Sequence, residues 1–329
     1  MSHGLRWTPE GMEPSDLPRG IELPTFLNAH VHFEVGPLPR PAERGFLPWL
    51  DQVQRTGSTF VGRDPDAFLG PAAERFEASV ATGTGRWLDV SNTGRTGALF
   101  GERGVCLHER LGIDIPTHAT EPGSRPIPHA VYSTHPNWIQ QCAALPGVWS
   151  IHVDEDPAEA AFLRGEGPWP DRLRAFGRSL DGFEYPMLSP VAYLEALGVL
   201  SPRALLVHCV ETRPEDLDRI AASGANVCIC ARSNLWIGGR LPDVPGMLDR
   251  GIPIRVGTDS LASSPDLDLL EELVALRRAF PGVDVATWVG AATGGFAGLE
   301  PAGRLWFPDV TTVDQLLDGT RWRRERVAP

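Results

Sequence analysis

Short runs of β-branched and apolar residues recur along this chain, and between most of them lie stretches with apolar residues at helical spacing. The runs that read as strands are 25–33, 86–91, 104–109, 127–132, 147–154, 204–210, 225–230 and 253–258. Helical spacing marks 66–82, 137–145, 157–177, 189–199, 214–223, 241–250 and 266–280. Strand alternating with helix implies parallel βαβ units. Eight such strands favour closure into a (β/α)8 barrel of the TIM type over an open sheet. The segment 110–126 carries no helical pattern, so the third and fourth strands are expected to be joined without a helix. The ends, rich in proline and polar residues, read as an N-terminal extension (1–22) and a C-terminal tail (300–329) packing on a barrel of residues 23–299.

Composition narrows the function classes. With 42% hydrophobic residues in 329, the chain can bury a large core. A formal net charge of −12 argues against a nucleic-acid binder, which carries a basic face. The first twenty residues have no apolar signal core, and no apolar run approaches the ~20 residues of a spanning helix. The expectation is a cytoplasmic protein with a small-molecule partner, no nucleic acid and no membrane; a homodimer is compatible with it. Cysteines 106, 142, 209, 228 and 230 lack CxxC spacing and sit mostly in apolar runs, so they read as buried free thiols. All 30 basic residues are arginine. The absence of lysine excludes a Schiff base, a P-loop lysine and a carbamylated lysine bridging two metals.

Active sites of such barrels lie at the C-terminal strand ends, and chemically competent residues collect there. His30 and His32, two apart on the first strand, point to one face. His152 and Glu155 end the fifth strand, His208 the sixth, and Asp259 the eighth. Taken singly, each is better read as a buried histidine or a capping acid. Four strands ending this way point instead to a metal-dependent site, and imidazole with carboxylate suits zinc, with iron as the alternative.

The segments Leu-Pro-Thr-Phe-Leu-Asn-Ala-His-Val-His (23–32), Pro-His-Ala-Val-Tyr (128–132), His-Val-Asp-Glu (152–155), His-Cys-Val (208–210), Ala-Arg-Ser-Asn-Leu (231–235) and Gly-Thr-Asp-Ser-Leu-Ala-Ser (257–263) resemble those of the amidohydrolase superfamily, in the same order. Within it the chain is similar to the cytosine-deaminase-like and adenosine-derivative deaminases. Asn-Ala-His-Val-His-Phe-Glu, Gly-Phe-Leu-Pro-Trp (45–49) and Ala-Arg-Ser-Asn look most like the aminodeoxyfutalosine deaminases of menaquinone synthesis. Relatives carry a longer N-terminal stretch and a closing strand that build a β-sandwich. Here that sandwich is expected to be reduced or absent. Glu211 stands where many deaminases have histidine, and Asp154 replaces a small residue.

The resemblance implies an aminohydrolase acting on an amino-substituted heterocycle, an adenine nucleoside derivative such as aminodeoxyfutalosine. The metal would be one zinc ion held by His30, His32, His152 and Asp259. Water activated by the metal would lose its proton to Asp259, beside His208 as hydrogen-bonding partner. Glu155 would shuttle protons to the ring nitrogen and the leaving amine, its pKa raised by burial and by Asp154. The competing reading of Glu155 is a helix N-terminal acid. His129 matches a substrate-contacting element. Trp49 is a candidate for stacking on the nucleoside or for the core. Arg232 is a candidate for pairing a substrate carboxylate or for an ion pair at the rim. Glu109 and Glu34, at strand ends, are candidates for ribose hydroxyls. The alternatives are hydrolysis of an amide or lactam C–N bond and a ligand-binding barrel without turnover.

Overall fold

The computed structural model describes residues 3–55, 64, 66–119 and 121–327. Three strands come first: β1 (His3–Thr8), β2 (Gly11–Pro18) and β3 (Ile21–Pro24). Eight parallel strands follow as β4 (Phe26–Val31), β5 (Thr84–Ser91), β6 (Gly104–Arg110), β7 (Arg125–Pro128), β8 (Trp149–Val153), β9 (Ala204–His208), β10 (Asn226–Ile229) and β11 (Ile254–Val256). They form two four-stranded sheets, β4-β5-β6-β7 and β8-β9-β10-β11. Parallel bridges close these into one barrel, Ala130 to His152 at one seam and Val31 to Asp259 at the other. Every residue of β4, β8, β9 and β10 is buried, as expected of strands covered on both faces.

All eight expected strands are present, with small shifts. The fourth ends at Pro128 instead of running to 132, because the chain after it turns toward the next seam. The expected helix over 157–177 is two, Pro157–Phe162 and Trp169–Ala175. Gly165 and Gly167 adopt left-handed backbone between them (φ 75° and 74°), and Pro168 follows. Helices Phe46–Arg55, Ala231–Ile237 and Val285–Thr293 were not expected. The last, Val-Ala-Thr-Trp-Val-Gly-Ala-Ala-Thr, is apolar nearly all round and gives no amphipathic signal. No helix among the described residues is long and apolar enough to cross a membrane.

The two chain ends, expected to pack on the barrel as separate segments, pair with each other. β12 (Arg304–Phe307) and β13 (Glu325–Val327) join the first three strands in one sheet of order β13-β12-β3-β1-β2. The flanking sandwich is therefore reduced to a single sheet. Its inner face buries Trp7, Ile21, Leu23, Leu305 and Phe307, each such side chain stabilising by about 1.5–3 kcal/mol. On the opposite face, buried Glu22 accepts from Ser15 (2.6 Å) and Arg6 (3.0 Å) and pairs with Arg304 at 3.3 Å. A closed ionic cluster in that position has no need of a second sheet to cover it.

Candidate metal centre and active site

Barrel closure itself assembles the site. The His30 carbonyl accepts from Thr258 N (3.0 Å) and Asp259 N (3.1 Å), so the β4–β11 seam fixes Asp259 against the histidine pair. At the other seam His152 N donates to His129 O at 2.9 Å. A Cβ on Gly257 would lie 2.7 Å from both His30 Cβ and His30 O, so only glycine lets β11 approach β4 this closely. Asp154, His208, Cys209 and Asp259 all hold left-handed backbone (φ 52°, 78°, 50° and 56°). Non-glycine residues adopt this rarely, and such strain gathers where strand ends aim side chains at a site.

His30, His32 and His152 bring one ring nitrogen each within 4.8 Å of one another. His30 Nε2 and His32 Nε2 face each other at 3.1 Å, and Asp259 Oδ1 lies 3.8 and 3.6 Å from them. His152 Nδ1 donates to His129 O at 3.0 Å, which turns its Nε2 toward the other two. Burial, then mutual repulsion, pushes the His30 pKa well below 6.5, and burial pushes down that of His32. Neutral imidazoles converging beside a carboxylate fit a divalent cation. Asp259 Oδ2 accepts from Ser233 Oγ (2.6 Å) and Ser263 Oγ (2.9 Å), leaving Oδ1 for the cluster.

Across the cluster stand His208 and Glu155, with His208 Nε2 3.7 Å from Glu155 Oε1. Asn234 Nδ2 donates to His208 Nδ1 (3.0 Å), which leaves the ring proton on Nε2, facing the site. Glu155 has its pKa raised well above 4.5 by burial, then by the charges of Asp259, Asp156 and Glu109. Asp154 is not among those causes. Its carboxylate turns away to accept from Thr212 Oγ1 at 2.9 Å, so the expected help from Asp154 is replaced by Asp259 and Asp156. Nor is Glu155 the cap of the next helix; Asp156 fills that role, accepting from Ala158 N at 2.9 Å.

The expected substrate residues divide. His129 lies beside His152 (ring centroids 5.0 Å apart), its Nδ1 2.6 Å from Ser133 Oγ. Trp49 sits at the rim, its indole donating to Ala262 O (3.0 Å) in the loop that follows Asp259. It packs on Phe46, which meets Trp169 stacked on Tyr132, and these rings join the barrel's buried core. Arg232 makes the ion pairs that were the alternative expected of it. Its guanidinium is committed to Glu272 (2.6 Å), Asp266 Oδ1 (2.7 Å) and the carbonyls of Asp266 and Asp268. Arg232→Ala should leave KM unchanged and cost about 3–5 kcal/mol in denaturant unfolding, because it strands a buried charge on Glu272, which is fully buried. Glu34 is spent on Ser91 Oγ (2.8 Å) and Asn92 N (2.7 Å). Glu109 accepts from Asn92 Nδ2 at Oε2 (3.0 Å), and its Oε1 is buried 3.4 Å from His152 Nδ1.

Ser233, Asn234 and Ser263 were not expected to act. The first two lie on the unexpected helix Ala231–Ile237, where consecutive residues serve Glu272, Asp259 and His208. The Ala-Arg-Ser-Asn segment was their only trace in the sequence.

The fold and these strand-end residues define a parallel barrel with a cluster of candidate metal ligands at its strand ends. Residues 128–297, just over half the chain, match the model of the amidohydrolase family, and the chain belongs to that family. It is 38% identical over 183 residues to the aminodeoxyfutalosine deaminase of Deinococcus radiodurans, covering 54% of this chain and 43% of that protein. The chain thus matches less than half the length of that relative. Its structure resembles Helicobacter pylori aminofutalosine deaminase in complex with methylthio-coformycin: TM-score 0.74, 20% identity, 94% of this chain and 87% of that one. An adenosine deaminase from Xanthomonas campestris with bound zinc aligns with TM-score 0.69 and 19% identity over 92% of this chain and 77% of its own. At these identities the structural likeness speaks for the fold.

Proposed function

We propose that the protein is a zinc-dependent aminohydrolase with one metal ion per chain, removing the amino group of an adenine nucleoside derivative of the aminodeoxyfutalosine type. The observation that carries this reading is the convergence of His30, His32, His152 and Asp259 opposite a half-buried Glu155 whose pKa is raised. The similarity to deaminases that act on adenosine derivatives supports the substrate class.

His30, His32, His152 and Asp259 would hold the ion, whose chemistry is to lower the pKa of water from 15.7 to about 7. Asp259, fixed by two serine hydroxyls, accepts the proton of the attacking water. His208, its Nε2 proton aimed inward, donates to the oxygen as negative charge develops on it. Glu155, its pKa raised by burial and neighbouring charge, delivers a proton to the ring nitrogen beside the attacked carbon. The proton that Asp259 took from water passes to the amine, which leaves as ammonia, and the hydroxyl proton returns to Glu155 as the carbonyl forms. His129, beside His152, is placed to contact the distal part of the substrate, and Trp49 is the candidate for stacking on its base.

The test is ammonia release from a panel of amino-heterocycles and their nucleosides, set beside N-acyl amides and lactams. Release from adenine nucleosides is the expected result. Amide or lactam cleavage without ammonia from any heterocycle would establish the alternative reading.

A further inference from the structure

Glu109 is an acid without an ordinary explanation. It is 5% exposed, and its Oε1 is buried with no hydrogen-bond donor. That atom lies 3.4 Å from His152 Nδ1, in a group with His129 and His152 whose ligand-type atoms fall within 4.8 Å of one another. A carboxylate oxygen buried without a donor is costly unless a neighbouring positive charge compensates it. No arginine pairs with it among the described residues. Its other oxygen is anchored, since Asn92 Nδ2 donates to Oε2 at 3.0 Å. Asn92 is itself held, its N donating to Glu34 Oε2 (2.7 Å) and its carbonyl 3.2 Å from His108 Nε2. A chain of polar groups thus presses one carboxylate against the back of one imidazole.

We propose that Glu109 is a positioning residue for the metal centre: with the His129 carbonyl it braces the Nδ1 edge of His152, and its charge strengthens Nε2 as a donor to the cation. Carboxylates behind metal-bound histidines act in this way, fixing the ring and raising its basicity. The sealing of Oε1 from solvent argues against a substrate contact. The proposal rests on His152 being a ligand, and loss of zinc in His152→Ala tests that reading separately.

The experiment is zinc affinity of the full chain by competition with a chromophoric chelator, with the visible spectrum of the cobalt(II) form as a second readout. Glu109→Gln is expected to weaken zinc about 10–100-fold and to shift the cobalt bands, with the melting temperature of the metal-free protein unchanged. Unaltered zinc affinity overturns the proposal, and a raised KM alongside unaltered affinity would make Glu109 a substrate contact instead. Should Glu109→Gln fail to fold, Asn92→Ala decides, because it keeps the charge and removes its anchor. Weaker zinc binding is expected there, and unaltered binding overturns the proposal.

Discussion

Glu155→Gln is expected to bind zinc as the parent does and to lose about 10²–10⁴-fold in kcat/KM, the range that a positioned proton-transfer group contributes. Glutamine matches glutamate in size and keeps a hydrogen-bonding amide, but it has no proton to give. The effect should be large because Glu155 faces the cluster as an acid whose charge is disfavoured by desolvation and then by Asp259, Asp156 and Glu109. The nearest structural competitor, a role in capping the following helix, belongs to Asp156. Stability of Glu155→Gln should therefore match or exceed the parent's, since the substitution removes an acid from a crowded anionic site. Measuring metal content, melting temperature and ammonia release on one preparation separates these effects. A variant that keeps turnover within tenfold of the parent would remove Glu155 from the proton path.

His152→Ala should have the opposite signature, losing metal first and activity as a consequence. Zinc sites with several protein ligands reach apparent binding energies of about 10–16 kcal/mol. Spread over four ligands this is about 2.5–4 kcal/mol each, or roughly 10²–10³-fold in affinity per ligand. The barrel should survive, because the His152 backbone still donates to His129 O when the side-chain bond to the same carbonyl is lost. Chelator competition and circular dichroism together check both halves. A folded variant with parent-like zinc affinity would show that the metal reading of the cluster is mistaken.

Much of the site was legible because barrel architecture turns a one-dimensional signal into a place. His30 and His32 share a face through the two-residue period of a strand, and a strand end in a barrel is a site position. The residues that orient the ligands left a weaker trace. Ser233 and Asn234 lie on the seven-residue helix Ala231–Ile237, too short to show an amphipathic period. Arg232, their neighbour, illustrates the limit. An arginine beside strand-end polar residues suits substrate or scaffold equally, and only the positions of Asp266 and Glu272 decide which.

By itself the sequence determined the eight barrel strands, their parallel order and the residues at their ends, because these depend on local periodicity and chain alternation. Tertiary structure decided what depends on contacts between distant segments. The two chain ends pair with each other across some three hundred residues, because β3 and β12 present matching apolar faces to the barrel. Glu109 turns toward His152 because Asn92, from a different strand end, holds it there. Asp259 meets the histidine pair because Gly257 lets the last strand close on the first. Those approaches are set by packing in three dimensions, where side chains far apart in sequence compete for the same few ångströms.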